Sequence, residues 1–329
     1  MLISLALTLA LLVTGDLAAD DTTPSPVPTD DIRVERVTFD SHGETLVGLL
    51  HLPATYQDGD ELPGIVVTGA WMTVKEQMPS RYARELAARG YAALAFDFRG
   101  WGESGSDLRQ RENPAQKIED ILAAADFLRT HPAVGEVGGL GICASAGYMT
   151  HAATRTDALA SVALVAPWLH DDAIVSAVYG GDEGVAALID AGRAAEAAQA
   201  QTGTQTFVPA ASTTDETAIM FGAPYYTEPE RGQIPAWRNE VDPAFWEAWL
   251  TFDAQTSAPE LTQPLLLVHS ESAAIPQGAH QFYADAASTS KNQLWLDDVT
   301  QFDFYDEAAS VQAASDAVAA HFARTLTAK

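Results

Sequence analysis

Val137 to Met149, VGGLGICASAGYM, decides the reading of this chain. Its first half is apolar and glycine-spaced, as a buried strand would be, and its second half is a run of small residues suited to the start of a helix. A strand that turns directly into a helix forces the tip residue into a strained conformation. The backbone can then cross itself only if the residues two before and two after the tip are small. Cys143 meets that requirement, with Gly141 before it and Ser145 after it. The tip side chain would stand at the carboxyl edge of a sheet and at a helix N-terminus, where free N–H groups and the helix dipole favour a thiolate. Cys143 is therefore expected to be a nucleophile that alkylates faster than free cysteine at mildly acidic pH. A register two residues later makes Ser145 the alternative nucleophile, and a third reading leaves Cys143 an inert buried thiol. The strand's end at Ile142 and the glycine two before the cysteine favour the first register.

The 329 residues are enough for one large α/β domain with an insertion. A formal charge of −27, from 45 acidic and 18 basic residues, argues against nucleic-acid binding and docking to anionic lipid, and points to a small neutral molecule as partner. With a single cysteine there is no internal disulfide, and stability rests on packing. Leu2 to Val13 is apolar but short for a membrane span, and small residues follow at Gly15 and Ala18-Ala19. Residues 1–19 are thus expected to be a cleaved signal peptide, making the protein exported, periplasmic or extracellular, without a membrane span. Residues 20–31, DDTTPSPVPTDD, have the composition of a disordered linker.

From residue 32 onward strands and helices alternate. Arg33 to Phe39 and Glu44 to Leu52 read as a hairpin, Gly64 to Thr68 and Tyr91 to Phe96 as buried strands, and Asn113-Pro114 as a helix start. Ser161 to Ala166, Pro264 to Val268 and Gln293 to Leu296 are further strands, and Val311, Val318, Phe322 and Leu326 mark one face of a last helix. The pattern predicts an α/β fold with a doubly wound, mostly parallel sheet. Its core would comprise residues 32–167 and 264–329, and the interval 168–263 would be a helical cap insertion. An Ala-rich helix from about Asp182 to Gln201 and the aromatics Tyr225, Tyr226, Trp237, Phe245, Trp246 and Trp249 fall in that cap. These aromatics suit either a wall over the sheet edge or the cap's own small core.

Together with Trp71 to Gln77, Asp97 to Ser104 and Asp303-Phe304-Tyr305-Asp306, the elbow resembles that of α/β-hydrolases. The closest likeness is to the branch related to dienelactone hydrolases and polyketide-transferase-like fungal enzymes. The resemblance implies acyl transfer through a covalent enzyme intermediate, with the backbone N–H groups of Ala144 and Trp71 as the oxyanion hole. It implies a small-molecule acyl substrate, no cofactor and no metal; the oligomeric state stays open. In such enzymes a histidine just before the Asp-x-Tyr-Asp run acts as base, but this chain has Gln301 there, whose amide is expected to orient substrate or water by hydrogen bonding. The acid is expected in the loop after Pro264 to Val268, where Glu271 is the only carboxylate. His170, beside Asp171 and Asp172, is the alternative base from the cap side. Two functions remain: a hydrolase or acyltransferase using Cys143 on an ester, lactone or thioester, or a non-catalytic binding protein that lost the histidine.

Overall fold

The computed structural model describes residues 31–327. The expected signal peptide, and all of the expected linker except Asp31, lie outside the described residues. β1 (Arg33–Ser41) and β2 (Glu44–Leu52) form the expected hairpin. Its two-residue turn, His42-Gly43, has positive φ at both positions, the form whose twist matches that of the flanking strands.

β3 (Leu62–Thr68), α1 (Met78–Ala87), β4 (Ala92–Phe96) and α2 (Pro114–Thr130) follow. Asn113 caps α2 by accepting from the Gln116 N–H at 3.1 Å, with Pro114 in the first turn. β5 (Val134–Ile142) runs through the elbow into α3 (Ser145–Ala153), and β6 (Ser161–Val165) comes next. The chain then passes through α4 (Asp172–Val178), α5 (Gly181–Thr202), the two-residue strands β7 (Ala211–Ser212) and β8 (Met220–Phe221), α6 (Pro224–Thr227) and α7 (Trp246–Leu250). It re-enters the sheet at β9 (Leu265–His269), followed by α8 (Pro276–Asp285), β10 (Lys291–Trp295), α9 (Asp303–Asp306) and α10 (Ala308–Thr325).

The main sheet has the order β1-β2-β4-β3-β5-β6-β9-β10. β1 pairs antiparallel with β2, and β2 antiparallel with β4; every later pairing is parallel. α1 packs beside α10 on one face, and α2 beside α3 on the other. β4, β6 and β9 are buried along their whole length, which is why they read as apolar runs rather than alternating ones. The parallel register brings the ends of β3, β5, β6 and β9 to one edge. The Trp71 segment, the elbow, the segment after Val165 and the loop after His269 therefore meet there.

The Asp97 to Ser104 turn is structural. Asp97 accepts from the Lys75 and Glu103 N–H groups and from Lys75 Nζ, while Ser104 Oγ donates to the Asp97 carbonyl and accepts from the Val47 N–H. Gly102 is required here, because a Cβ would lie 2.2 Å from Asp97 Oδ2.

Candidate active site

At the elbow, Cys143 adopts φ +55°, the left-handed conformation expected of the tip. A Cβ on Gly141 would lie 2.7 Å from the Ser145 carbonyl oxygen and 2.8 Å from Ala146 Cα, so the crossing needs glycine at that position. Its register is fixed by hydrogen bonds from the Cys143 N–H to Val165 and from the Ala146 and Trp168 N–H groups to the Cys143 carbonyl. Ser145 is consequently the first residue of α3 and fully buried. Its hydroxyl has no partner among the described residues and does not reach the cavity, which removes Ser145 as the alternative nucleophile.

Cys143 and Ala144 form the floor of a cavity of about 710 Å³ between the sheet edge and the cap. Its walls are largely aromatic: Trp71, Trp168 and Trp249 with Tyr179, Tyr226, Phe302 and Tyr305. Of the cap aromatics, Tyr226 and Trp249 line this space, whereas Tyr225, Trp237, Phe245 and Trp246 are buried in the packing behind it. No lysine, arginine, histidine or carboxylate is among the lining residues. Such a space offers a ligand apolar contact and no charged side chain to pair with.

The thiol's protonation corrects the expectation drawn from the helix N-terminus. Burial pushes Cys143 up to about 11, although the neighbouring Tyr305 hydroxyl, Ala144 N–H and Gln301 amide favour the thiolate and work in the opposite direction. The aromatic roof removes water that would otherwise stabilise a thiolate, and desolvation outweighs the donors. Cys143 is a neutral thiol near pH 7.

Gln301 lies beside Cys143, as its position before the Asp303 run suggested, but its amide is committed to the protein. Nε2 donates to the Ala166 carbonyl at 2.9 Å and to the Tyr305 hydroxyl at 3.0 Å, and Oε1 accepts from the Ala274 N–H at 3.1 Å. It ties together three loops at the sheet edge.

Glu271 does not enter the site. Its side chain is 70% exposed and pairs with His280 Nε2 at 2.7 Å, with the His280 ring stacked on Trp295. The turn closed by the Ala273 N–H on the Ser270 carbonyl sends residue 271 outward and leaves Ser272, Ala273 and Ala274 on the cavity wall.

His170 is likewise not positioned as a base. Trp168 Nε1 donates to its Nδ1 at 2.9 Å, so Nε2 carries the proton and donates to the Trp249 carbonyl at 3.2 Å. Burial lowers its pKa, and the ring packs on Trp249 and Phe252 outside the cavity. Its work is to hold two of the cavity's tryptophans.

The Trp71 segment shows why a left-handed residue persists there. Met72 has φ +59°, at a cost of about 1–2 kcal/mol. Its N–H donates to Glu112 Oε2 at 3.0 Å, and its carbonyl accepts from Trp237 Nε1 at 2.7 Å. The N–H groups of Trp71 and Ala144 have no backbone or carboxylate acceptor among the described residues, and both residues border the cavity. Glu112 is fully buried and also accepts from Lys117 Nζ and the Tyr148 hydroxyl, each at 2.8 Å. Lys117 Nζ lies 4.6 Å from the Phe98 ring centroid and 5.1 Å from that of Trp101.

Glu76, Asp97 and Glu103 bring carboxylate oxygens within 4.8 Å of one another, a set that could hold a cation. Lys75 Nζ fills that place, 2.7 Å from each. Burial alone would lower the Lys75 pKa, but the carboxylates outweigh it and hold it above its usual value. Lys75 is thus an interior charge with partners, not the surface lysine its position at a helix start suggests.

Sequence reasoning missed Glu112, Lys117, Tyr148 and Tyr179 entirely. The available signal was a carboxylate directly before a helix cap with a lysine five residues on, a pair that a helix start can fold inward.

Residues 62–320 match the Alpha/beta hydrolase family, and the chain belongs to it. The uncharacterized protein YcjY of Escherichia coli (strain K12) is 28% identical over 291 residues, covering 86% of this chain and 95% of YcjY. The crystal structure of hypothetical protein PA2218 from Pseudomonas aeruginosa aligns with a TM-score of 0.78 at 27% identity, covering 90% of this chain and 94% of that one. A third relative, polyketide transferase claH of Penicillium crustosum, is 31% identical over 117 residues, 34% of this chain and 37% of claH.

Proposed function

We propose that this chain is an exported acyl-transfer enzyme that takes the acyl group of an ester, lactone or thioester onto Cys143. The substrate is a small, uncharged, apolar compound. The observation that carries the reading is the left-handed Cys143 on the floor of the aromatic cavity, which Trp71 and Ala144 also border. Kinship with a polyketide transferase in name agrees with transfer to an acceptor other than water. Export is supported by the Leu2 to Val13 run.

In the proposed step Sγ bonds to the acyl carbon while the carbonyl oxygen gains charge facing the Trp71 and Ala144 N–H groups. The bond from acyl carbon to the leaving oxygen or sulfur then breaks. With neither histidine nor carboxylate lining the cavity, the thiol proton passes to the leaving group, which departs as an alcohol or thiol. The Tyr305 hydroxyl and the Gln301 amide steady the sulfur as its proton leaves. Water or an acceptor hydroxyl then attacks the acyl-cysteine, the acyl group departs with it, and its proton returns to Sγ. Thioesters are the favoured donors, since sulfur needs less help from that proton to leave than an alcohol oxygen does.

The thiol's pKa of about 11 and the absence of a lining base favour a second reading, in which the cavity only binds its ligand. Intact-mass analysis separates the two. After incubation with an activated acyl thioester, wild type should gain one acyl group that Cys143→Ala does not, with release over time. If no adduct forms and apolar ligands bind both proteins equally, the binding reading stands.

A further inference from the structure

We propose that Glu112 is a positioning residue for the oxyanion hole, acting through the Met72 N–H, with Lys117 as its buried ion-pair partner. This rests on the acyl-transfer reading of Cys143. Glu112 lies in the loop before α2, away from the cavity wall, and touches neither Cys143 nor the space over it. What it touches is the peptide next to the Trp71 donor. Its Oε2 takes the Met72 N–H, while Trp237 from the cap takes the Met72 carbonyl on the other side. Gripped at both ends, the Met72 residue is held left-handed, and the direction of the preceding Trp71 N–H is set by that grip.

The second oxygen of Glu112 ties the same carboxylate to the other half of the hole. Oε1 accepts from the Tyr148 hydroxyl, and Tyr148 sits on α3, one turn beyond the Ala144 donor at the helix start. One buried carboxylate thus joins the Trp71 segment to α3, the two segments whose N–H groups must converge on a single oxygen. Lys117, with the rings of Phe98 and Trp101 beside its ammonium, supplies the counter-charge.

The test compares two reactions of the same sulfur. Acylation by p-nitrophenyl acetate passes through an oxyanion, and alkylation by iodoacetamide does not. The ratio of their rates, referred to the same ratio for glutathione, reports the oxyanion hole and cancels changes in thiol ionisation and access. Glu112→Gln alone leaves the buried Lys117 without its carboxylate partner and is expected to melt lower than wild type. Two further variants share Lys117→Met and Tyr148→Phe, which remove the charge and the orphaned hydroxyl. One adds Glu112→Gln, which keeps an oxygen for the Met72 N–H; the other adds Glu112→Leu, which does not.

The expected result is a wild-type ratio well above that of glutathione, retained within about 3-fold by the Gln-bearing triple variant. The Leu-bearing variant should lose about 100-fold, the scale of a lost oxyanion donor, while still alkylating. Equal ratios in the two triple variants would overturn the role of Glu112 and leave the acyl-transfer reading intact. A wild-type ratio equal to that of glutathione would overturn both.

Discussion

Alkylation of Cys143 tests the competition between burial and the helix N-terminus. With the thiol pushed up to about 11, about one part in 10³ is thiolate at pH 8, against about one in four for free cysteine with a pKa of about 8.5. The scarcer thiolate is the stronger nucleophile, by about 10-fold for such a rise at the usual Brønsted slope. The net expectation is a rate about 20-fold below that of free cysteine at pH 8, and lower again for restricted access through the cap. The sign of the pH dependence follows from the raised value. The rate should climb about tenfold per pH unit from neutrality to about pH 10, where free cysteine has already levelled off. Second-order rates with iodoacetamide, followed by intact mass from pH 6 to 11 beside glutathione, measure this directly. A rate exceeding that of glutathione below pH 7, or a plateau before pH 9, would refute the reasoning. It would mean that the Tyr305, Ala144 and Gln301 donors outweigh the aromatic roof.

Gln301→His alone should not bring the about 10²–10⁴-fold gain of a general base, because Glu271 faces His280; Gln301→His with Ala273→Asp, which places a carboxylate on the cavity wall, should exceed either single change in ester turnover. Gly141→Ala should abolish acylation and lower the melting temperature, since the new methyl meets backbone at 2.7 Å; wild-type behaviour in both would contradict the elbow geometry. Lys75→Met leaves buried Asp97 beside two further carboxylates without a cation and should destabilise the fold by about 3–5 kcal/mol, read by urea unfolding. His51, His269 and His321 are buried, and burial is the main cause that lowers each to about 4. Neutral in both states above about pH 6.5, they should cost the fold on the order of 2 kcal/mol each by pH 5, because only the unfolded chain takes up the protons. A flat stability between pH 7 and pH 5 would contradict this.

The sheet was legible because β4, β6 and β9 are buried along their whole length and stand out as short apolar runs between helices. Boundaries shifted where local chemistry is weak: β5 begins at Val134, three residues before the expected Val137, because Gly135 and Glu136 hide it. α4 escaped notice because it has only seven residues, although Asp171 caps it by accepting from the Ile174 N–H. The elbow could be placed to the residue, since its steric demand falls on neighbours in sequence. The chemistry around it was less legible, because it depends on which side chains converge from distant segments. Glu271 was the only carboxylate in its loop, yet the turn decides that residue 273 faces inward and residue 271 outward. The helix N-terminus beside Cys143 is visible in sequence, while the tryptophans and tyrosines that dry it come from the Trp71 segment, the cap and α9.

The three hydrogen bonds of Gln301 bear on how freely this site can change over generations. A histidine at that position has two ring nitrogens with which to replace an amide that serves Ala166, Tyr305 and Ala274 at once. At about 0.5–1.5 kcal/mol for each bond, a first substitution toward a histidine base loosens three loops before any carboxylate stands ready to orient the ring. The gain in chemistry arrives only with the second substitution. The amide therefore acts as a ratchet against a single-step change to histidine at this position.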